Sequence, residues 1–310
     1  MEDTVMMWLL LAFLSAVLLG FYDVFKKKSL RANAVIPVLF LNTLFSSLIF
    51  LPFIIVSSNG WLSEDSLFFT HSYGWAEHRY ILLKSVIVLC SWLCGYFGMK
   101  NLPITIVGPI NATRPVMVLI GALTFLGEHL NVWQWVGVTI AIISFYLMSR
   151  SGKKEGIDFK HNKWIALVVL ANVFGAVSGL YDRYLMAPVG VGVGLDKMAV
   201  QSWYNIYQFF MMGIMLLVLW YPNRHKTTPF HWDWCIILIS LFLSAADFVY
   251  FYALSQDEAM ISIVSMIRRG SVVVSFLFGA MLFHEKNLKA KVFDLALVLL
   301  SMFFLFIGSR

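Results

Sequence analysis

Gly121-Ala122-Leu123-Thr124-Phe125-Leu126-Gly127-Glu128 ends one long apolar run, and Gly279-Ala280-Met281-Leu282-Phe283-His284-Glu285 ends another 157 or 158 residues later. A second pair of phrases keeps nearly the same interval. Gly20-Phe21-Tyr22-Asp23-Val24-Phe25 is echoed by Gly179-Leu180-Tyr181-Asp182-Arg183-Tyr184, 159 residues on. Two echoes at one offset read as a duplicated half. The halves are residues 1–151 and 163–310, joined by a polar cytoplasmic linker at 152–162. Internal duplication of this kind is common among secondary transporters.

The apolar runs extend outward from these phrases. Of 310 residues, 60% are hydrophobic and 13% charged, against about 45–50% and about 25% in soluble domains. A helix crossing the hydrocarbon layer needs roughly 20 mostly apolar residues. Ten such spans are predicted, at 5–23, 34–57, 80–99, 103–126, 131–149, 163–184, 201–221, 233–254, 258–282 and 291–308. The expected fold is an all-α integral membrane protein. The first span begins with Glu2 and Asp3 rather than a basic segment and has a counterpart in the second half. It therefore reads as part of the mature fold and not as a signal peptide.

Charge gives an orientation. Fifteen Lys or Arg fall on the loops after odd-numbered spans, among them Lys26, Lys27, Lys28, Arg31, Lys100 and Lys286. Five, namely Arg79, Lys84, Arg183, Lys197 and Arg310, fall on the other side. Cytoplasmic loops carry the positive excess, so both termini are expected outside the cytoplasm. The halves also oppose each other. The loop after Asp23 is strongly basic and the loop after Asp182 is not; Glu285 is followed by three Lys and Glu128 by none. An odd number of spans per half turns equivalent elements upside down. The expectation is two inverted five-helix repeats, the architecture in which a shared site opens alternately to each side.

Several chemistries are excluded. Cys90 and Cys94 lie one helical turn apart inside a span, too few for a metal cage, and Cys235 lies in another; all three read as small buried hydrophobes. No Gly-rich Lys-Ser/Thr phosphate loop and no His-Glu-x-x-His pattern occurs. No histidine pairs with a nucleophile inside a span. An enzyme, a metal and a cofactor are therefore not expected. The net charge of +6 belongs to membrane topology rather than to nucleic acid.

Polar groups inside the spans are the candidate site, because an ionised group deep in lipid costs about 2.5–3.5 kcal/mol and so faces protein or water. Arg114 sits in Pro109-Ile110-Asn111-Ala112-Thr113-Arg114-Pro115, where two prolines interrupt backbone hydrogen bonding and bend the helix. It suits contact with solute or a structural ion pair. Arg268 and Arg269 occupy the matching stretch of the ninth span. Neighbouring helical residues point about 100° apart, so one of the two should face a cavity and the other pair with an acid. Guanidinium groups would favour an anionic or carboxylate-bearing solute.

Asp247 is the expected partner of Arg268 or Arg114, with proton carriage as its functional alternative. Asp23 and Asp182, beside Tyr22 and Tyr181, end repeat-equivalent spans and suit capping or gating. Asn111, Trp92, Tyr96, Tyr204 and Tyr250 complete the candidate solute-binding set, while Glu128 and Glu285 read as loop-closing contacts.

The phrases ending at Glu128 and Glu285, the proline-rich fourth span and the five-plus-five layout together resemble the EamA-type transporters of the drug/metabolite transporter superfamily. The resemblance is most specific from Asn101 to Arg150; the second copy has Val272 where a match to Pro115 would stand. It implies a carrier of the bacterial inner membrane whose first four helices in each half enclose a cavity. The expected function is that of a secondary active transporter exporting a small polar or amphipathic metabolite by alternating access, with that small-molecule solute and the bilayer as its partners. A channel, a lipid scramblase and a non-transporting membrane protein are the alternatives. Both halves of the pathway are already in one chain, so a monomer suffices and a homodimer stays open.

Overall fold

The computed structural model describes residues 2–117, 131–153, 157, 159–190, 192–254, 261–283 and 288–308. Its helices are α1 (Glu2–Leu30), α2 (Val35–Ser58), α3 (Trp75–Asn101), α4 (Ile104–Ala112), α5 (Val132–Lys153) and α6 (Lys163–Met186). They continue with α7 (Lys197–Met215), α8 (Cys235–Leu254), α9 (Ile261–Arg269), α10 (Ser271–Phe283) and α11 (Leu288–Gly308). A π turn, Leu216–Trp220, prolongs α7. Among the described residues, eight helical segments are long and apolar enough to cross a bilayer, and Val132–Ser144 is a shorter apolar stretch. Helix is what such residues must form in lipid, because every backbone polar group then bonds within its own segment. Large apolar side chains such as Leu10, Phe13, Ile142, Phe210 and Phe303 stand exposed on the outer faces. They would meet lipid tails there.

Each helix packs mainly against one from the other half of the chain. α1 lies antiparallel on α8: Ser15 Oγ donates to Ala246 O, and the Phe21 and Phe25 rings meet Phe242. α3 runs antiparallel to α6, with Ser91 Oγ donating to Ala171 O. α2 meets α7 through Ser47 Oγ to Asn205 O. α5 meets α11 through Ser144 Oγ to Asp294 O and Ser301 Oγ to Gly137 O. α4 packs on α10. Small residues allow these approaches, as expected where lipid supplies no hydrophobic drive between helices. A Cβ on Gly98 would lie 2.3 Å from Val168 Cγ2, and one on Gly279 2.2 Å from Ile104 Cγ2.

The structure revises the sequence reading in four places. α1 does not stop near residue 23 but runs to Leu30, so Asp23 and Lys26 stand on a helix inside the bundle. Lys84, counted above among loop charges, is 2% exposed and lies within α3. Asp182 is buried one turn before the end of α6 and does not cap it. The ninth span is not one helix either: a turn at Gly270 separates α9 from α10. The phrase 121–128 and the residues 284–285 of its echo lie outside the described residues.

Outside the membrane, Asp196 caps α7 by accepting from the amides of Met198 and Ala199 at 2.8 and 3.0 Å. Its own amide donates to Tyr73 Oη at 2.8 Å, tying the 59–74 loop to the second half. Burial pushes the Tyr73 phenol up.

Candidate functional site

Two broken helices define the site. In the first half α4 ends at Ala112, Thr113 forms a turn, and helix resumes at Arg114. Pro115 explains the break, since it has no N–H to give the carbonyl of Asn111 and its ring crowds that oxygen. In the second half Gly270 makes the equivalent turn by a different means: its amide bonds back to Ile267 O at 2.9 Å. Val272 thus replaces Pro115 without loss of the break. Arg114 adjoins one break, and Arg268 and Arg269 adjoin the other.

Between them lies a chamber of about 190 Å³. Helices from both halves line it. Of the candidate solute-binding residues it is lined by Arg114, Asn111, Tyr96, Trp92, Tyr204, Arg268 and Tyr250. Of the candidate coupling or gating residues, Asp247, Asp23, Asp182, Tyr22 and Arg269 line it too. Tyr181 does not: its hydroxyl donates to Tyr80 O at 3.3 Å and its ring stacks on Tyr184. Both tandem arginines reach the chamber, contrary to the expectation that only one would. Both stand in the last turn of α9, immediately before the turn at Gly270, and both long side chains border the chamber.

Sequence reasoning missed two lysines. Lys84 pairs with Asp182 across α3 and α6, under the rings of Tyr204 and Phe251. Lys26 pairs with Asp23 at 2.6 Å and lies 4.3 Å from the centroid of the Tyr22 ring. Each was read as a topological charge, yet Lys84 follows Trp75 by two and a half turns of continuous helix. That depth is the signal that would have found it. Lys84 and Tyr96, both on α3 and both lining the chamber, are twelve residues apart, about 18 Å along the axis. The two acid–lysine pairs therefore sit toward opposite ends of the chamber.

Between those ends is the third pair. Arg268 bonds Asp247 through Nη2, and Tyr204 Oη donates to the other carboxylate oxygen at 2.9 Å. The Arg268 guanidinium also stacks 4.3 Å over Tyr250. Arg114 is held differently. Its Nε donates to Asn172 Oδ1 at 3.3 Å, and Asn172 in turn donates to Ile110 O at 3.0 Å. The guanidinium lies against bare backbone at Gly175, where a Cβ would come within 2.3 Å of Cζ. Among the described residues, neither Arg114 nor Arg269 has an acidic partner.

A helical, multi-pass membrane protein with a charged chamber between its helices is the class that fold and site define. Residues 6–150 match the EamA-like transporter family. That family lies within the drug/metabolite transporter superfamily. A solved crystal structure titled only as that of a protein covers 98% of this chain and is itself covered to 98%, with a TM-score of 0.62 and 13% identity; the likeness is one of fold. No curated protein matches the chain significantly in sequence.

Proposed function

We propose that this protein is a secondary carrier that exports a small anionic, carboxylate- or phosphate-bearing metabolite across the bacterial inner membrane by alternating access. The observation that carries the reading is the chamber lined from both halves, with arginines at a helix break in each. Discontinuous helices at the bilayer midplane are where secondary transporters bind solute. The helix pairing supports two inverted five-helix repeats. α1 on α8 and α3 on α6 are the same contact seen from each half, and the pairs α2 with α7, α4 with α10 and α5 with α11 each join equivalent spans. Rocking one half about this symmetric seam would open the chamber to each side in turn. The loop charges favour termini on the extracytoplasmic side.

Each of the three chamber carboxylates has a cationic partner. That arrangement favours a cycle driven by the solute itself over one in which Asp247 carries a proton. The test is transport in proteoliposomes with labelled organic anions. Arg114→Gln should lower the rate at least tenfold while the purified protein keeps its elution profile. Wild-type transport by that variant removes Arg114 from the site. Saturation and counterflow separate a carrier from a channel or scramblase.

A further inference from the structure

The described residues lining the chamber include five cations, Lys26, Lys84, Arg114, Arg268 and Arg269, and three carboxylates, Asp23, Asp182 and Asp247. Three of the cations are used up in pairs. Among the described residues Arg114 and Arg269 remain as two positive charges with no carboxylate in ion-pair contact; Asp23, already paired with Lys26, acts on both only from a distance. They are not dispersed at a surface. Arg269 Nε is sealed from solvent without a hydrogen-bond acceptor, as is Arg268 Nε. Arg114 has its Nε engaged by Asn172 and its terminal nitrogens packed at Gly175. The three guanidiniums are close enough to act on one another electrostatically. The first turn of α10, Ser271 and Val272, also lines the chamber, and it adds the partial positive charge of a helix N-terminus.

Buried charges of one sign in low dielectric are strongly unfavourable unless an anion joins them. The described residues supply no carboxylate beyond the three already paired, so the balance must come from the solute. We propose that the transported solute is a dianion whose two charges neutralise Arg114 and Arg269, and that the carrier works as an electroneutral exchanger of such dianions. This rests on the transporter reading above.

The exchange follows from the charge balance. With a dianion bound, the chamber is neutral and the two halves can rock past each other without carrying net charge through the hydrocarbon layer. Empty, it keeps two uncompensated positive charges, and reorientation is slow. The return step therefore runs fastest when a second dianion loads on the far side.

The experiment has a binding arm and a transport arm. In detergent, thermal unfolding is followed at pH 8 in tens of millimolar sulfate, phosphate or succinate, with chloride and lactate at matched ionic strength. At least one dianion should raise the melting temperature, and the monoanions should not. Arg269→Gln should itself raise the melting temperature of the anion-free protein, because it deletes an unpaired buried charge. It should also abolish the dianion response. A merely structural arginine would do neither.

In proteoliposomes loaded with the stabilising dianion, efflux should speed up at least tenfold when a dianion is present outside, with no dependence on an imposed membrane potential. A carrier that moves monoanions equally well, or empties as fast into anion-free buffer, overturns dianion exchange and leaves the transporter reading standing. If no anion stabilises the folded protein, dianion binding fails; if no anionic solute crosses by its agency, the transporter reading fails with it.

Discussion

Lys84→Met removes one member of a buried pair and leaves Asp182 facing the chamber alone. Lys84 is 2% exposed and Asp182 8%, so bulk solvent screens neither charge well. Breaking buried pairs in this way costs about 3–5 kcal/mol. Proton uptake limits the cost here. A stranded carboxylate can take a proton, and at pH 7 that costs about 4 kcal/mol, being about three pH units above the ordinary Asp value at 1.36 kcal/mol each. At pH 5 the same limit is about 1.5 kcal/mol. The variant should therefore be destabilised by about 3–4 kcal/mol at pH 7 and recover more than half of that at pH 5. Lys84→Met/Asp182→Asn should recover most of it at either pH. Reversible unfolding in mixed micelles titrated with SDS measures all three variants. A loss below about 1 kcal/mol, the range of exposed pairs, with no pH dependence, would refute a water-excluded pair at this end of the chamber.

Three further predictions concern other parts of the molecule. Gly175→Ala puts a methyl where Arg114 now lies, 2.3 Å from its Cζ, so it should cut transport at least tenfold while unfolding stays near wild type. Gly279→Val, at the seam where Ile104 Cγ2 approaches to 2.2 Å of a Cβ, should destabilise the SDS-unfolding transition by about 1–3 kcal/mol through overpacking. Asp196→Ala removes the cap of α7 and should cost about 1 kcal/mol, with faster hydrogen exchange at the Met198 and Ala199 amides as the local readout.

The sequence reveals the scaffold more fully than the site. Apolar length identifies the membrane segments, because lipid leaves a helix no other way to satisfy its backbone. Arg114 stands out for the same reason: a guanidinium between prolines in an apolar run needs an internal partner. The Arg268–Asp247 pair follows from the scarcity of acids at that depth. Lys84 and Lys26 were harder to recognise. A lysine near a span end reads as a topological charge unless the helix is known to continue past it, and apolar counting ended α1 seven residues early. The turn at Gly270 was hidden too, since a single glycine in an apolar run carries no signature of a break until its partner helices are in place.

The claim underlying the whole account is a chamber that opens alternately to the two sides of the membrane. Cysteine placed at Ser178, a buried chamber residue, tests it directly once Cys90, Cys94 and Cys235 have been replaced. A membrane-impermeant thiol reagent is applied to sealed vesicles of each orientation. Alternating access predicts labelling from either side, at rates that a bound solute anion lowers. Labelling from one side only, unchanged by any anion, would contradict it.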